Sequence, residues 1–130
     1  MRKYPFIKID SSNISRPYLF ITLLNPSNNK SIDLFALIDT GADECCFPLE
    51  YAEILGHNYR EGTAKRIISA NGITNVYGHT GRIIFDDYMT GNLLIDFSEN
   101  LKIPLVGVKN FLENFVLTIN YPKNFFIIDK

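Results

Sequence analysis

The sequence predicts a mainly β domain, and three observations lead to this class. Short runs rich in β-branched and aromatic residues recur along the chain, and clusters of turn-forming residues separate them. Only two segments have helical composition, and both are short. The 130 residues are enough for one domain with its own hydrophobic core, so we predict a single domain over residues 1–130.

The first half of the chain is predicted to contain a strand, a hairpin and a short helix. Residues 5–10 alternate apolar and polar side chains, as a half-buried strand does. Residues 18–24 and 32–38 are β-rich and are separated by a run of Asn, Pro and Ser, which predicts a hairpin. Residues 49–55 have helical composition and end at Gly56.

The second half is predicted to contain a further hairpin, several strands and one more short helix. Ala70-Asn71-Gly72 lies between two β-rich runs, and Asn-Gly in this position is the strongest local signal for a hairpin. The other predicted strands fall at residues 65–69, 73–77, 81–85, 92–97, 103–107, 115–120 and 125–128, and the second helix at residues 108–114.

Composition excludes several classes of protein. Hydrophobic residues make up 46% of the chain and charged residues 21%, which is typical of a folded globular protein, and no apolar run is long enough to span a bilayer. The net charge is -1, whereas nucleic-acid binding needs a concentrated basic face. We therefore expect neither nucleic acid nor a membrane as a partner. The N-terminus lacks the apolar segment of a secretory signal, so we expect a cytoplasmic protein.

The cysteines and histidines do not indicate a metal site. Cys45 and Cys46 are adjacent, and their Cα atoms are too close for ordinary disulfide geometry, so we predict reduced thiols. His57 and His79 are not spaced as metal ligands and are expected to be structural or exposed. We predict no cofactor.

The candidate catalytic stretch is Leu37-Ile38-Asp39-Thr40-Gly41-Ala42. An apolar run ends abruptly in a carboxylate, a hydroxyl and a glycine, which predicts a strand that leads an acid into a tight turn. Leu94-Ile95-Asp96 begins in the same way, but Phe97 and Ser98 stand where the hydroxyl and the glycine would be. We therefore predict that Asp96 is a solvated strand residue.

Three features occur in a recognisable order along the chain. They are the Asp39-Thr40-Gly41 stretch, the Asn-Gly hairpin and the run Leu105-Val106-Gly107 before a helical segment. In this order they resemble the retropepsins, the retroviral-type aspartic proteases, and particularly their single-domain bacterial relatives. The resemblance covers residues 18–128 and implies a closed acid-protease β-barrel with two short helices and a flap hairpin.

The resemblance also implies a role for each matching residue. Asp39 would be the catalytic carboxylate, Thr40 would hold two such acids close together, and Gly41 would let the substrate backbone approach. The residues that would contact substrate are Ala42, Asp43 and Glu44 after the motif, Ile68, Asn71, Gly72 and Ile73 in the flap, and Val106, which would wall an apolar pocket.

The chain holds one Asp-Thr-Gly, whereas the chemistry needs two carboxylates. Two such groups in close proximity share a proton, so that one activates water while the other polarises the peptide carbonyl. We therefore predict a homodimer with a shared active site. Its predicted activity is that of an aspartic endopeptidase on peptides or unfolded proteins.

Two points leave alternatives open. Val108 stands where many retropepsins have an arginine that pairs with the acid after the catalytic turn, and Lys109 is a candidate substitute. This substitution keeps open a non-catalytic module of the same fold for dimerisation or peptide binding. A third interpretation is a β-barrel binding domain with an accidental Asp-Thr-Gly motif. Residues 6–9 and 125–128 would either build a sheet between two subunits or pair within their own subunit.

Overall fold

The structure is a computed structural model that describes residues 2–9, 13–69 and 72–130. These residues form eleven strands in two sheets, so the predicted mainly β class is confirmed. The strands are β1 (Arg2–Pro5), β2 (Tyr18–Leu24), β3 (Ser31–Ile38), β4 (Cys46–Pro48), β5 (Thr63–Ser69), β6 (Gly72–Phe85), β7 (Tyr88–Met89), β8 (Leu93–Ser98), β9 (Leu105–Val106), β10 (Val116–Asn120) and β11 (Phe125–Asp129).

The larger sheet curves back on itself. Its strand order is β2-β3-β9-β4-β8-β6-β5, and β7 pairs with β6. Strand β2 also pairs with the C-terminal part of β6, from Arg82 to Ile84. The β3–β9 and β4–β8 pairs are parallel and the other pairs are antiparallel. Six strands therefore form a ring, and β5 lies outside it as an edge strand on β6.

Strand β6 differs from the prediction, because the two predicted strands at residues 73–77 and 81–85 are one continuous strand of 14 residues. Gly78, which lies between them, does not end the strand. A Cβ at Gly78 would lie 2.7 Å from Cγ of Leu94, so the glycine marks a close side-chain contact from the neighbouring strand.

The first predicted helix is confirmed as α1 (Leu49–Ile54). The second is shorter than predicted, because only Leu112–Asn114 is helical and it has 3-10 geometry. Asn110 has a φ of 68°, and this left-handed conformation interrupts a helix at that point. A further 3-10 turn covers Tyr59–Glu61. No helix in the described part of the chain is long and apolar enough to cross a membrane.

The hydrophobic core lies inside the ring and beneath the smaller sheet. Alternation along β2 directs Leu19, Ile21 and Leu23 inward and leaves Phe20 52% exposed. Complete burial of such side chains contributes about 1.5–3 kcal/mol each. The largest fully buried side chains are those of Phe47, Phe97, Phe111 and Phe126.

The smaller sheet has the order β1-β11-β10. Strand β1 pairs with β11 of the same chain, with Tyr4 opposite Phe126 and their rings 5.3 Å apart. Of the two arrangements left open by the sequence, the structure has the one in which the terminal strands pair within their own subunit. The prediction of a first strand at residues 5–10 is wrong for residues 6–9, because β1 ends at Pro5 and only Ile7 among them forms an isolated bridge, with Arg16. Asp10 lies outside the described residues.

Candidate active site

The Asp39 turn begins where β3 ends, and its own backbone orients the carboxylate. The N–H of Gly41 donates to Oδ1 of Asp39 at 3.0 Å, and the N–H of Ala42 donates to the Asp39 carbonyl at 3.2 Å. The Asp39 N–H in turn donates to the carbonyl of Val106 at 3.0 Å. The acid is therefore held by a short turn that is itself tied to β9.

The segment after β9 lies against the inside of the Asp39 turn. Val108 donates its N–H to the carbonyl of Ala42 at 2.9 Å, and Lys109 donates to that of Asp43 at 2.8 Å. A Cβ at Gly107 would lie 2.4 Å from the carbonyl oxygen of Glu44, so a side chain has no room there. This close approach of two backbones explains the glycine of the Leu-Val-Gly run.

A cleft of about 620 Å³ opens beside this turn, under the β5–β6 hairpin. Its walls combine apolar and charged side chains. The lining residues are Gly41, Ala42, Asp43, Glu44, Cys46, Lys65, Ile67, Ile68, Thr74, Val76, Asp96, Ser98, Asn100, Leu101 and Leu105. The structure therefore brings four predicted substrate-binding residues into one cleft, namely Ala42, Asp43, Glu44 and Ile68.

The other predicted substrate-binding residues lie elsewhere. Gly72 and Ile73 begin β6 and pair with Ser69 and Ile68 of β5 in the hairpin, where Ile73 is 56% exposed. Asn71 falls outside the described residues. Val106, predicted to wall an apolar pocket, is completely buried, because its side chain points from β9 into the core.

Asp96 differs from the prediction of a solvated residue, since it is only 3% exposed. It lies in β8 between Cys46 of β4 and Gly78 of β6, so neighbouring strands cover it on both sides. Nζ of Lys65 donates to its Oδ2 at 3.0 Å. Sequence reasoning missed Lys65, whose position on an ordinary strand gives no local signal of this contact.

Lys65 also approaches Glu44, with Nζ 3.6 Å from Oε1. Burial by itself lowers the pKa of Lys65, but the hydrogen bond and charge of Asp96, together with Glu44, outweigh it and raise the pKa. The ammonium is therefore charged at neutral pH. Nζ of Lys109 lies 3.6 Å from the same Glu44 oxygen, so this lysine, the candidate substitute for an arginine, pairs with Glu44 and not with Asp43.

The cysteines are free and buried, as predicted. Burial raises the pKa of Cys45 to about 11 and that of Cys46 to about 12, so both thiols are protonated at neutral pH. The rings of His57 and His79 stack with centroids 4.5 Å apart. Within residues 2–9, 13–69 and 72–130, no group of three or more His, Cys, Asp and Glu side chains is placed to hold a metal ion.

Known structures resemble this chain over most of its length. A retropepsin-like aspartic protease from Rickettsia conorii superimposes with a TM-score of 0.70 at 19% identity, over 97% of this chain and 98% of that one. The chain has a retropepsin-like fold. EIAV protease in complex with the inhibitor HBY-793 superimposes with a TM-score of 0.58 at 15% identity, over 82% of this chain and 93% of that one. No protein-family model and no curated protein matches the sequence.

Proposed function

We propose that this retropepsin-like chain is an aspartic endopeptidase that acts as a homodimer. The observation that carries the proposal is the position of the Asp39-Thr40-Gly41 turn, which borders the cleft through Gly41 and Ala42. The turn fixes a carboxylate at the end of a strand, and the fold is the one found in aspartic proteases. Since each chain supplies one such turn, two chains complete the catalytic pair.

The proposed reaction uses the two Asp39 carboxylates and one water molecule. One proton is shared by the pair, because two carboxylates in close contact do not ionise together. The ionised carboxylate takes a proton from water as the water oxygen bonds to the peptide carbonyl carbon, and the protonated one donates to the carbonyl oxygen. The tetrahedral intermediate then collapses. The carboxyl that took the water proton donates it to the amide nitrogen, the C–N bond breaks, and the other carboxylate takes a proton back from a hydroxyl of the intermediate, so that the pair again shares one proton.

Thr40 and Gly41 support this reaction in different ways. Thr40 is exposed in the single chain, where its hydroxyl is available to the partner's turn. Gly41 has no side chain to keep the substrate backbone away from the carboxylate that its own N–H orients. The proposed roles are coupling of the two subunits for Thr40 and access for Gly41.

The proposed substrate is an extended peptide that lies between the turn and the β5–β6 hairpin, with main-chain hydrogen bonds as in strand addition. Ile68 and Ile73 face each other across the hairpin and are 79% and 56% exposed, so they offer apolar surface for a bound chain to cover. With Asn71 and Gly72 they would form the flap.

A second candidate is a module of the same fold that binds peptides without cutting them. The observation that favours it is Val108, which is 37% exposed and cannot form the ion pair of an arginine, so that the charged contacts beside the turn are two ion pairs of 3.6 Å to Glu44. Such a module would bind a peptide-like transition-state mimic and turn over no substrate.

Asp39→Asn tests the proposed activity. Loss of the ionisable group should lower cleavage of an unstructured protein at mildly acidic pH by about 10²–10⁴-fold. The free energy of unfolding should change by less than about 0.5 kcal/mol, because an amide oxygen still accepts from the Gly41 N–H. Asp33→Asn, at an exposed acid bonded to Thr22, is the matched control and should keep full activity. Equal activity of Asp39→Asn and the wild type would disprove the proposal.

Dilution tests the homodimer separately. Specific activity should fall as the chain concentration drops below the dimer dissociation constant, while circular dichroism stays unchanged. The monomer should remain folded because its terminal strands pair within the chain. Activity per chain that is constant over a thousandfold dilution, with sedimentation showing a monomer, would contradict the shared site.

A further inference from the structure

Both histidines of the chain meet next to the base of the β5–β6 hairpin. His57 follows α1 and His79 lies in β6, and their rings stack at an interplanar angle of 26° with centroids 4.5 Å apart. The ring of Phe97 in β8 packs near both. Histidine is the side chain that ordinarily changes charge between pH 5 and 8, whereas the two cysteines stay protonated in that range. The side chains best suited to respond to pH in this range are therefore in direct contact.

His79 connects β6 to the segment that leads into β5. Its Nε2 lies 2.8 Å from the carbonyl oxygen of Tyr59, and because a carbonyl only accepts, Nε2 carries a proton and donates. Tyr59 begins the 3-10 turn that precedes β5. A Cβ at Gly62, the residue before β5, would lie 2.6 Å from the same Nε2 and 2.5 Å from the carbonyl oxygen of Gly78. The start of β5 is therefore packed directly against His79.

The 3-10 turn is held chiefly by rings that β6 provides. The ring of Tyr59 meets that of Tyr77 edge-on, with centroids 4.8 Å apart, and its carbonyl accepts from His79. Arg60 pairs with Glu99 at 2.7 Å, but the two side chains are 69% and 45% exposed, and an ion pair this exposed contributes little. A change at His79 or at the ring stacked on it therefore acts on the main support of the turn.

The surroundings of His57 favour its neutral form. Burial, and then the charge of His79, lower the pKa of His57. Two charged imidazole rings stacked at 4.5 Å would also repel each other. The other titratable and charged side chains around the pair are Glu53 from α1, Tyr59 and Arg60 from the 3-10 turn, Glu99 after β8, and Lys30, which reaches Gly56 from the β2–β3 loop.

These observations fix the direction of the pH effect. An arrangement in which the two rings separate returns His57 to water and removes it from the charge of His79, so it binds a proton more readily than the stacked arrangement does. The stacked arrangement is therefore most stable above the ordinary histidine pKa of about 6.5 and loses stability as the pH falls below it.

We propose that the stacked His57 and His79 are an acid-sensitive anchor for the base of the β5–β6 hairpin. When the rings are neutral, the stack and the His79–Tyr59 bond hold the 3-10 turn against β6. Proton uptake by the pair separates the rings and loosens residues 57–62 together with the start of β5. Lys65, Ile67 and Ile68 of this strand line the cleft, so the loosening reaches the cleft wall.

The anchor regulates access to the proposed active site, and this consequence rests on the proposed peptidase function. An extended peptide enters the cleft only when the hairpin above it moves, and such motions limit the rate of many enzymes. Release of the hairpin base at mildly acidic pH therefore speeds entry of the peptide.

Hydrogen–deuterium exchange of the full chain tests the anchor without any need for activity. The amides of residues 59–69 are followed from pH 7.5 to pH 5.5, with residues 18–38 as an internal reference and with rates corrected for intrinsic exchange. The opening constant of residues 59–69 relative to the reference should rise at least about threefold, within the limit of about tenfold per pH unit that uptake of one proton sets. No rise, or an equal rise in both segments, would overturn the inference.

Two variants assign the effect to the histidines. His57→Phe keeps a ring on His79 but removes its charge, and His79→Gln keeps an N–H donor for the Tyr59 carbonyl but removes the second imidazole. Either variant should reduce the rise in opening to less than about 1.5-fold, since neither pair can take up two protons. The second variant remains informative if the first fails to fold. A rise equal to that of the wild type in a folded variant would also overturn the inference.

Glu99→Gln is the matched control. It removes the other titratable contact of the 3-10 turn, the Arg60–Glu99 pair, and leaves both imidazoles in place. The pH-dependent rise in opening should persist in this variant. Loss of the rise in Glu99→Gln alone would assign the pH dependence to the carboxylate and reject the histidine anchor.

Binding kinetics connect the anchor to the cleft. The association rate constant of a non-cleavable peptide mimic should increase between pH 7.5 and pH 5.5 at least about threefold more in the wild type than in His57→Phe, in line with the opening constant. Equal increases would reject control of access by the histidines. Cleavage of peptides together with pH-independent exchange rejects the anchor only. A pH-dependent opening that His57→Phe abolishes, in a protein that cuts no peptide, rejects the peptidase and supports the anchor.

Discussion

Two segments of the chain begin with the same pattern and end with different structures. Leu37-Ile38-Asp39 and Leu94-Ile95-Asp96 are both apolar runs that reach an aspartate. After Asp39 the chain leaves β3 and turns, and the carboxylate accepts from the N–H of Gly41. After Asp96 the chain continues along β8 through Phe97, and the buried carboxylate accepts from Lys65.

The difference shows that the residues after an acid decide what the acid can do. Thr40 and Gly41 allow a turn, which leaves Asp39 half-buried two residues before Gly41, a lining residue of the cleft. Phe97 is 1% exposed and anchors the strand in the core, so Asp96 is enclosed between two neighbouring strands. The first acid is proposed to react, and the second holds a cation in place.

Gly107→Ala should disrupt the Asp39 turn, and it has the largest expected effect on stability. The added Cβ would lie 2.4 Å from the carbonyl oxygen of Glu44 and 2.7 Å from that of Ala42, both in the backbone that positions the turn. We expect a loss of about 4 kcal/mol or more in urea unfolding. Gly91→Ala, where no atom lies within 4 Å of the added Cβ, is the control and should be nearly neutral. A stable, active Gly107→Ala protein would refute this account of the turn.

Lys65→Met should remove the partner of the buried Asp96 carboxylate and so destabilise the fold around it. It leaves a carboxylate that is 4% exposed without its partner, and we expect a loss of about 3 kcal/mol at neutral pH. Arg60→Met, which removes an exposed ion pair, should cost less than about 1 kcal/mol in the same urea titration. Equal losses in the two variants would show that the Lys65–Asp96 pair behaves as an ordinary surface contact.

His57→Phe tests the surroundings of Phe97, the residue that follows Asp96. The ring centroid of Phe97 lies 6.0 Å from the centroid of His57 and 6.0 Å from that of His79. Burial, and then the charge of His79, lower the pKa of His57. The unfolded chain therefore binds a proton more readily than the folded one, and stability falls as the pH drops below the ordinary histidine value of about 6.5.

The His57→Phe variant should lose part of this dependence. Thermal unfolding measured from pH 8 down to pH 5 should show a smaller decrease in Tm than the wild type. At pH 8, where the His57 imidazole is neutral, the two proteins are compared to isolate packing changes. Parallel pH profiles would rule out His57 as a source of the acid sensitivity.

Lys109→Met should have the smallest effect. Its ammonium is separated from Glu44 by 3.6 Å, and its side chain is 64% exposed. A contact of this kind contributes less than about 0.5 kcal/mol. The backbone bond from Lys109 to Asp43 remains in the variant, so the turn should persist. A loss above 1 kcal/mol in urea unfolding would mean that Lys109 supports the turn as an arginine would.

Local patterns predicted much of the fold. The alternation of apolar and polar residues and the turn-forming residues indicated the hairpin of β2 and β3. Gly56, which was predicted to end the first helix, follows the C-cap of α1 and has a φ of 81°. The turn at Asp39 was also visible, since it follows from the short-range order of apolar, acidic and small residues. These features depend on residues close to one another in the chain.

Contacts between distant strands decided the rest. The burial of Asp96 depends on Lys65, which is 31 positions away, and the cleft around them exists only once β4, β6 and β8 lie side by side. The pairing of β1 with β11 joins opposite ends of the chain, and the space next to Gly78 in the middle of β6 is filled by Leu94 of β8. The sequence by itself determined where the chain turns and which acid stands at a turn, because these follow from local backbone preferences. Only the tertiary structure decided which charges share the cleft, because that depends on which strands become neighbours.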